Sequence, residues 1–179
     1  VERLSAEMGQ LKLGHGTDPT TTLAPMVSRK AHDRVAQLVK DAINRGSKTS
    51  LGGEGTQGPG AFYSATVLGD VPKDSPLLGE EIFGPVAAVT RIETEAEAID
   101  FANDTEFGLV GYVFTENLNR GLRMAERIET GMVGINRGLV SDPAAPFGGV
   151  KQSGLGREGG FEGIEEFLET KYITIPDWN

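Results

Sequence analysis

The chain of 179 residues contains no cysteine. Disulfides, thiol redox chemistry, a thiolate nucleophile and Cys-ligated metals are therefore excluded within it. Histidine is almost as scarce. His15 and His32 are the two present, far apart in sequence and with no Cys partners, so they read as surface or packed side chains and no metal site is expected. Long hydrophobic runs are lacking too: nothing approaches the roughly 18 apolar residues that a membrane span needs. Positive charge is in deficit, with 17 Lys and Arg against 26 Asp and Glu for a formal net charge of -9. The basic residues are scattered, which argues against binding a phosphate backbone. The opening VERLSAEMGQ has mixed charge and no apolar signal segment. With Val in first place, the expectation is a piece cut from a longer protein, with the cytoplasm as the default location.

What is present suits a globular protein. Hydrophobic residues at 38% and charged residues at 24% are ordinary, and a chain of this size buries roughly 70% of its unfolded surface, so one globular unit is expected. Glycine is in excess: 25 residues is about twice the usual share of roughly 7%. Much of the excess lies between Gly131 and Gly163, where turns or close backbone approaches are implied.

Val27, Ala31, Val35, Leu38, Val39, Ala42 and Ile43 recur at spacings of three and four, which predicts an amphipathic helix with Ser28 as N-cap and Gly46 just past its end. Ala61 to Leu68 and Val86 to Ile92 are short β-prone runs, and Thr94 with Glu97 forms a capping box before a helix carrying Ala98, Ile99 and Ala102. Gly111 to Thr115 reads as a strand, Leu118 to Ile128 as a helix that Gly131 can stop, and Met132 to Ile135 as another strand. This alternation favours an open, mostly parallel α/β sheet in three layers. A short helix around Phe161 to Leu168 and a terminal strand at Tyr172 to Ile175 complete the pattern. Gly52 to Gly60 suits an exposed loop.

Several motifs stand in a fixed order: GHGTDP from Gly14, EEIFGP from Glu80, NDTEFGL from Asn103, GMVGIN from Gly131, PFGG from Pro146, and KQSGLGREG from Lys151. Together they resemble the aldehyde dehydrogenase superfamily over nearly the whole chain. KQSGLGREG, followed by the segment Gly163 to Glu169 and then Lys171-Tyr172, resembles its succinate-semialdehyde branch. Departures are Arg137 where that branch has an acid, Ala65 where Pro is common, and Gly160-Phe161-Glu162. In this family a cysteine thiolate attacks the aldehyde, hydride passes to a nicotinamide, and a glutamate-activated water hydrolyses the thioester. The resemblance places that cysteine, that glutamate and the dinucleotide-binding domain before Val1. It implies a partial catalytic domain over residues 1–169 and an oligomerisation strand and tail over 170–179. By the same resemblance the parent uses NAD or NADP, takes a small aldehyde and forms a homo-oligomer, while the chain by itself is inactive.

The resemblance also assigns residues. Glu81 matches the glutamate that accepts hydrogen bonds from the nicotinamide ribose, and Phe83 the aromatic bordering the ring. A carboxylate suits a diol because it only accepts, and an aromatic face orients a planar ring. The alternative for EEIFGP is a polar loop with a core Phe. Ser141 matches a serine that hydrogen-bonds the substrate's distal carboxylate, against a plain loop hydroxyl. Phe147 matches an aromatic near the substrate tunnel, against core packing, and Arg137 offers an added contact or a surface charge. No catalytic residue is assigned: Asn136 closes a strand and reads equally as a turn residue. Gly154 to Gly159 satisfies GxGxxG, but no buried strand precedes it, so it is not a dinucleotide loop. From another functional class, a stand-alone module that kept the fold for association or regulation is the alternative.

Overall fold

The computed structural model describes residues 1–56 and 58–176. The chain divides into two compact units, Val1–Arg91 and Ile92–Asn179, where the sequence predicts one unit with a break after residue 169. Composition bounds how much core a chain builds, but not how the contacts partition.

In the first unit, α1 (Glu2–Met8) precedes α2 (Arg29–Asn44). The Ser28 Oγ accepts a hydrogen bond from the Ala31 N–H at 3.1 Å, as its N-cap position requires. At the other end Gly46 has φ +108°, and the N–H groups of Gly46 and Ser47 donate to the carbonyls of Ile43 and Ala42. This is the paired-bond helix stop for which glycine is favoured. The buried stripe of α2 is His32, Val35, Leu38, Val39 and Ala42. Its apolar members join Tyr63, Leu68, Val71 and Leu77 in one core cluster. Strand β1 (Lys48–Leu51) pairs antiparallel with β2 (Thr66–Gly69), and β2 pairs parallel with β3 (Val86–Ala88). Every residue of β2 is buried, as expected for the middle strand of three. The short helix α3 (Pro76–Gly79) contributes Leu77 to the core.

In the second unit, Thr94 caps α4 (Glu95–Asn103) by accepting from the Glu97 N–H at 3.1 Å. The Glu97 carboxylate returns to the Glu93 N–H at 2.8 Å, one residue before the partner that a regular capping box uses. A two-residue strand, β4 (Phe107–Gly108), comes next. Strand β5 (Val110–Val113), helix α5 (Leu118–Arg127) and strand β6 (Met132–Ile135) form a β–α–β unit in which β5 and β6 run parallel, from Val110 opposite Met132 to Val113 opposite Ile135. Gly121 lets α5 lie close to the strands: a Cβ there would stand 3.1 Å from Ile135 Cγ2. Strand β7 (Val150–Lys151) pairs antiparallel with β4.

The fold is mixed α/β, and the open, mostly parallel three-layer sheet is corrected to three small sheets among the described residues. Two pairs are parallel and two antiparallel. Alternating strands and helices predict each local β–α–β connection, but strand order depends on distant pairings that local pattern does not carry. The helix expected at Phe161 to Leu168 is a 3₁₀ turn over Glu162–Phe167. Tyr172 to Ile175, expected as a terminal strand, lie exposed and join no ladder among the described residues; a strand exists only with a partner edge. The rest of that expected segment, residues 177–179, lies outside the described residues.

Candidate functional site

Glu81 and Phe83 lie on the loop of residues 80–84, which enters β3 in the first unit. Three anchors hold this loop. The Ile82 side chain packs against the core cluster. Gly84 approaches α2 so closely that a Cβ would come within 3.0 Å of Val35 Cγ2. The third anchor is Arg34 on α2: its Nη2 donates to the Glu81 carbonyl at 2.6 Å and to the Glu80 carboxylate at 3.2 Å, and its Nη1 donates to the Ile82 carbonyl at 3.3 Å. Between these anchors Phe83 adopts φ +47° with 77% of its surface exposed. A left-handed backbone at a bulky residue costs about 1–2 kcal/mol. Hydrogen bonds to a charged group contribute about 1.5–3 kcal/mol when shielded and less in water's reach, so the anchors are of the size needed to offset that strain. The structure thus presents a bare aromatic ring beside an exposed carboxylate, and Phe83 is not a core residue of its unit.

Sequence reasoning missed Arg34. It sits on the polar side of an amphipathic helix, where a solvated charge is the default reading, and its partners are 46 to 48 residues away. No short-range pattern encodes that meeting.

Asn136 follows β6 with φ +52°, a conformation asparagine tolerates. Its main-chain N–H donates to the Val113 carbonyl at 2.9 Å. Its side-chain amide then imitates a peptide: Oδ1 accepts from the Thr115 N–H and Nδ2 donates to the Thr115 carbonyl, both at 2.9 Å. The residue extends the β5–β6 ladder beyond its last pair, tying down the neighbouring strand rather than its own turn.

Ser141 and Arg137 lie exposed on the segment that follows Asn136. Phe147 is half-buried, and its N–H and carbonyl exchange hydrogen bonds of 2.7 Å with those of Glu158. It lines a cleft of about 360 Å³ with Gly148, Gly149, Arg157, Glu158 and Phe167, among others. Ser141 is not in the wall of that cleft. Arg157 ties the cleft together, donating from Nη1 to the Gly149 and Gly156 carbonyls at 2.8 Å each. The glycines here are steric necessities: a Cβ on Gly131 would stand 1.9 Å from the Gly148 oxygen, and one on Gly148 2.4 Å from the Gly156 oxygen. Gly154, Gly156 and Gly159 all have positive φ, as a turn leading into the 3₁₀ segment uses them.

The remaining motifs also acquire physical content. In NDTEFGL, the Asn103 side chain donates to the Arg127 carbonyl at 2.9 Å and accepts from the Glu129 N–H at 2.8 Å. Lys151 of KQSG donates to the Asn103 and Thr105 carbonyls and pairs with Glu129 at 2.6 Å. In GHGTDP, Asp18 accepts from the Thr20 N–H and hydroxyl, and the N–H bond first, then the hydroxyl, hold its carboxyl below the usual range. No group of three or more His, Cys, Asp or Glu suited to a metal occurs among the described residues.

The aldehyde dehydrogenase family profile matches residues 1–173. The chain belongs to this family. Among aldehyde dehydrogenase relatives, the succinate-semialdehyde dehydrogenase of Paenarthrobacter nicotinovorans is 52% identical over 99% of this chain and 39% of its own length. The glutarate-semialdehyde dehydrogenase of Pseudomonas putida is 47% identical over 98% of this chain and 36% of its own. The crystal structure of an NADP-dependent enzyme from E. coli superposes with a TM-score of 0.92 at 44% identity, covering 96% of this chain and 36% of that one. The chain thus spans well under half the length of these relatives.

Proposed function

We propose that the chain is the C-terminal, catalytic-domain portion of an NAD(P)-dependent aldehyde dehydrogenase that oxidises succinate semialdehyde to succinate. The observation that carries the reading is the loop of residues 80–84, which keeps the Phe83 ring open at a strained backbone beside the free carboxylate of Glu81. The absence of cysteine supports the C-terminal assignment, since the family's nucleophile must then come from elsewhere in the parent.

The donor set of the loop fits a nicotinamide nucleotide. Glu81 offers acceptors to a ribose diol and Phe83 an apolar face to the ring, and the dinucleotide, when bound, accepts the hydride. Ser141 serves the distal carboxylate with a hydroxyl donor, and Phe147 borders the substrate path with its ring. The charge of that carboxylate needs arginines beyond this hydroxyl, which the missing segment supplies. The exposed Lys171 to Ile175 segment joins a neighbouring subunit in the parent, a homo-oligomer.

The test begins with the coding sequence on both sides of this chain. The reading expects a frame continuing upstream through a dinucleotide-binding domain and a cysteine. The encoded protein should then reduce NAD or NADP with succinate semialdehyde at a higher kcat/KM than with glutarate semialdehyde or an uncharged aldehyde. Ser141→Ala should raise KM for succinate semialdehyde more than for the uncharged aldehyde. A preference for the uncharged substrate would remove the substrate assignment, and a frame beginning at Val1 with no turnover would favour a non-catalytic module.

A further inference from the structure

Of the three anchors of the loop that carries Glu81 and Phe83, one is a charged side chain outside it, Arg34. In extended backbone successive carbonyls point to opposite sides. Here the carbonyls of Glu81 and Ile82 both meet the Arg34 guanidinium, at 2.6 and 3.3 Å. The planar fork of arginine is suited to holding two acceptors in a set relation, which a single ammonium is not. Phe83, the next residue, turns to positive φ while its ring stays open. Arg34 is itself held in register by Val35, wholly buried and in near contact with the loop at Gly84.

We infer that Arg34 is the positioning residue of the cofactor-facing loop: it fixes the Glu81 and Ile82 carbonyls so that the Glu81 carboxylate and the Phe83 ring are preorganised for the nicotinamide nucleotide. It touches neither cofactor nor substrate and acts through residues 81–83. The inference rests on the cofactor reading of Glu81 and Phe83. Preorganisation of this kind appears in binding of the ligand that the loop faces, and other ligands are spared.

The experiment uses the full-length parent with Arg34→Ala, Arg34→Lys, Glu81→Gln and the Arg34→Ala/Glu81→Gln pair, and measures KM for dinucleotide and for aldehyde separately. Arg34→Ala should raise the dinucleotide KM about tenfold, with the aldehyde KM at saturating dinucleotide within about twofold of the parent. Arg34→Lys should recover part of the loss, since its ammonium can reach one carbonyl. Added to Glu81→Gln, Arg34→Ala should raise the dinucleotide KM far less than it does alone, because both act on one loop. Equal rises in both KM values, or independent effects in the pair, would mark Arg34 as a general stabiliser and overturn the proposal. An unchanged dinucleotide KM in Arg34→Ala beside a raised one in Glu81→Gln would refute the clamp and leave the cofactor reading standing. If Glu81→Gln is also silent, the cofactor reading falls and the clamp falls with it. Should Arg34→Ala not fold, Arg34→Lys gives the same two comparisons at smaller amplitude.

Discussion

Single residues in this chain are most informative where they break a local rule. Phe83 and Asn136 both hold a backbone that side chains other than glycine rarely adopt. Asn136 recovers the cost through its bonds to Thr115, which tie the neighbouring strand and not its own turn. Tyr63 is the buried counterpart, 1% exposed in the core of the first unit. Burial pushes its hydroxyl up to about 12, and the Glu54 carboxylate adds to the rise. A phenol whose folded pKa exceeds its unfolded value of 10.0 favours the folded state while neutral. That contribution is complete below about pH 10 and is lost as pH rises towards about 12. The urea midpoint of the wild type should therefore fall relative to that of Tyr63→Phe as pH rises across that window. Parallel curves would mean that Tyr63 titrates alike in both states.

Elements form where local signals agree with the tertiary contacts they meet. Helix α2 has its cap, the middle of its stripe and its glycine stop in the sequence, and all three are used, while Val27, which precedes the cap, and Ile43 are exposed. Ser28→Ala should cost about 1 kcal/mol in urea unfolding followed by circular dichroism, and Ser28→Asp much less, because a carboxylate both caps and meets the helix dipole. An equal loss in both variants would show that the hydroxyl is not the cap. Strand β1 gave no comparable signal. Lys48–Leu51 is short and mostly exposed, and it exists because β2 offers an edge to its backbone. The two-residue strands β4 and β7 meet across more than forty positions, with the Gly108 N–H held by the Ser153 hydroxyl at 3.0 Å. Tyr172 to Ile175 show the converse, an alternating pattern that forms no strand where no edge meets it.

At the scale of the whole molecule, the second unit carries large apolar side chains in the open. Leu155 is 99% and Phe161 95% exposed. Large apolar side chains left this open bind hydrophobic dyes and promote association. Leu155→Ser with Phe161→Ser in the 179-residue chain should reduce dye fluorescence while leaving unfolding free energy within about 0.5 kcal/mol, as substitutions at bare surface do. A large loss of stability would show that these side chains are packed within the unit.

Composition alone excluded thiol chemistry from this chain, because that property depends on which residues exist. Ordered motifs carried the resemblance to the family, since their residue types and their order are read directly along the chain. Helices α2, α4 and α5 and the parallel β5–α5–β6 unit were legible because their signals lie within a few residues, whereas α1 and the one-turn α3 carried no such signal. The division at Arg91, the small ladders and the Arg34 clamp on the loop of residues 80–84 were decided by the tertiary structure. Each depends on groups tens of residues apart, and a hydrogen bond between such groups leaves no periodicity along the chain.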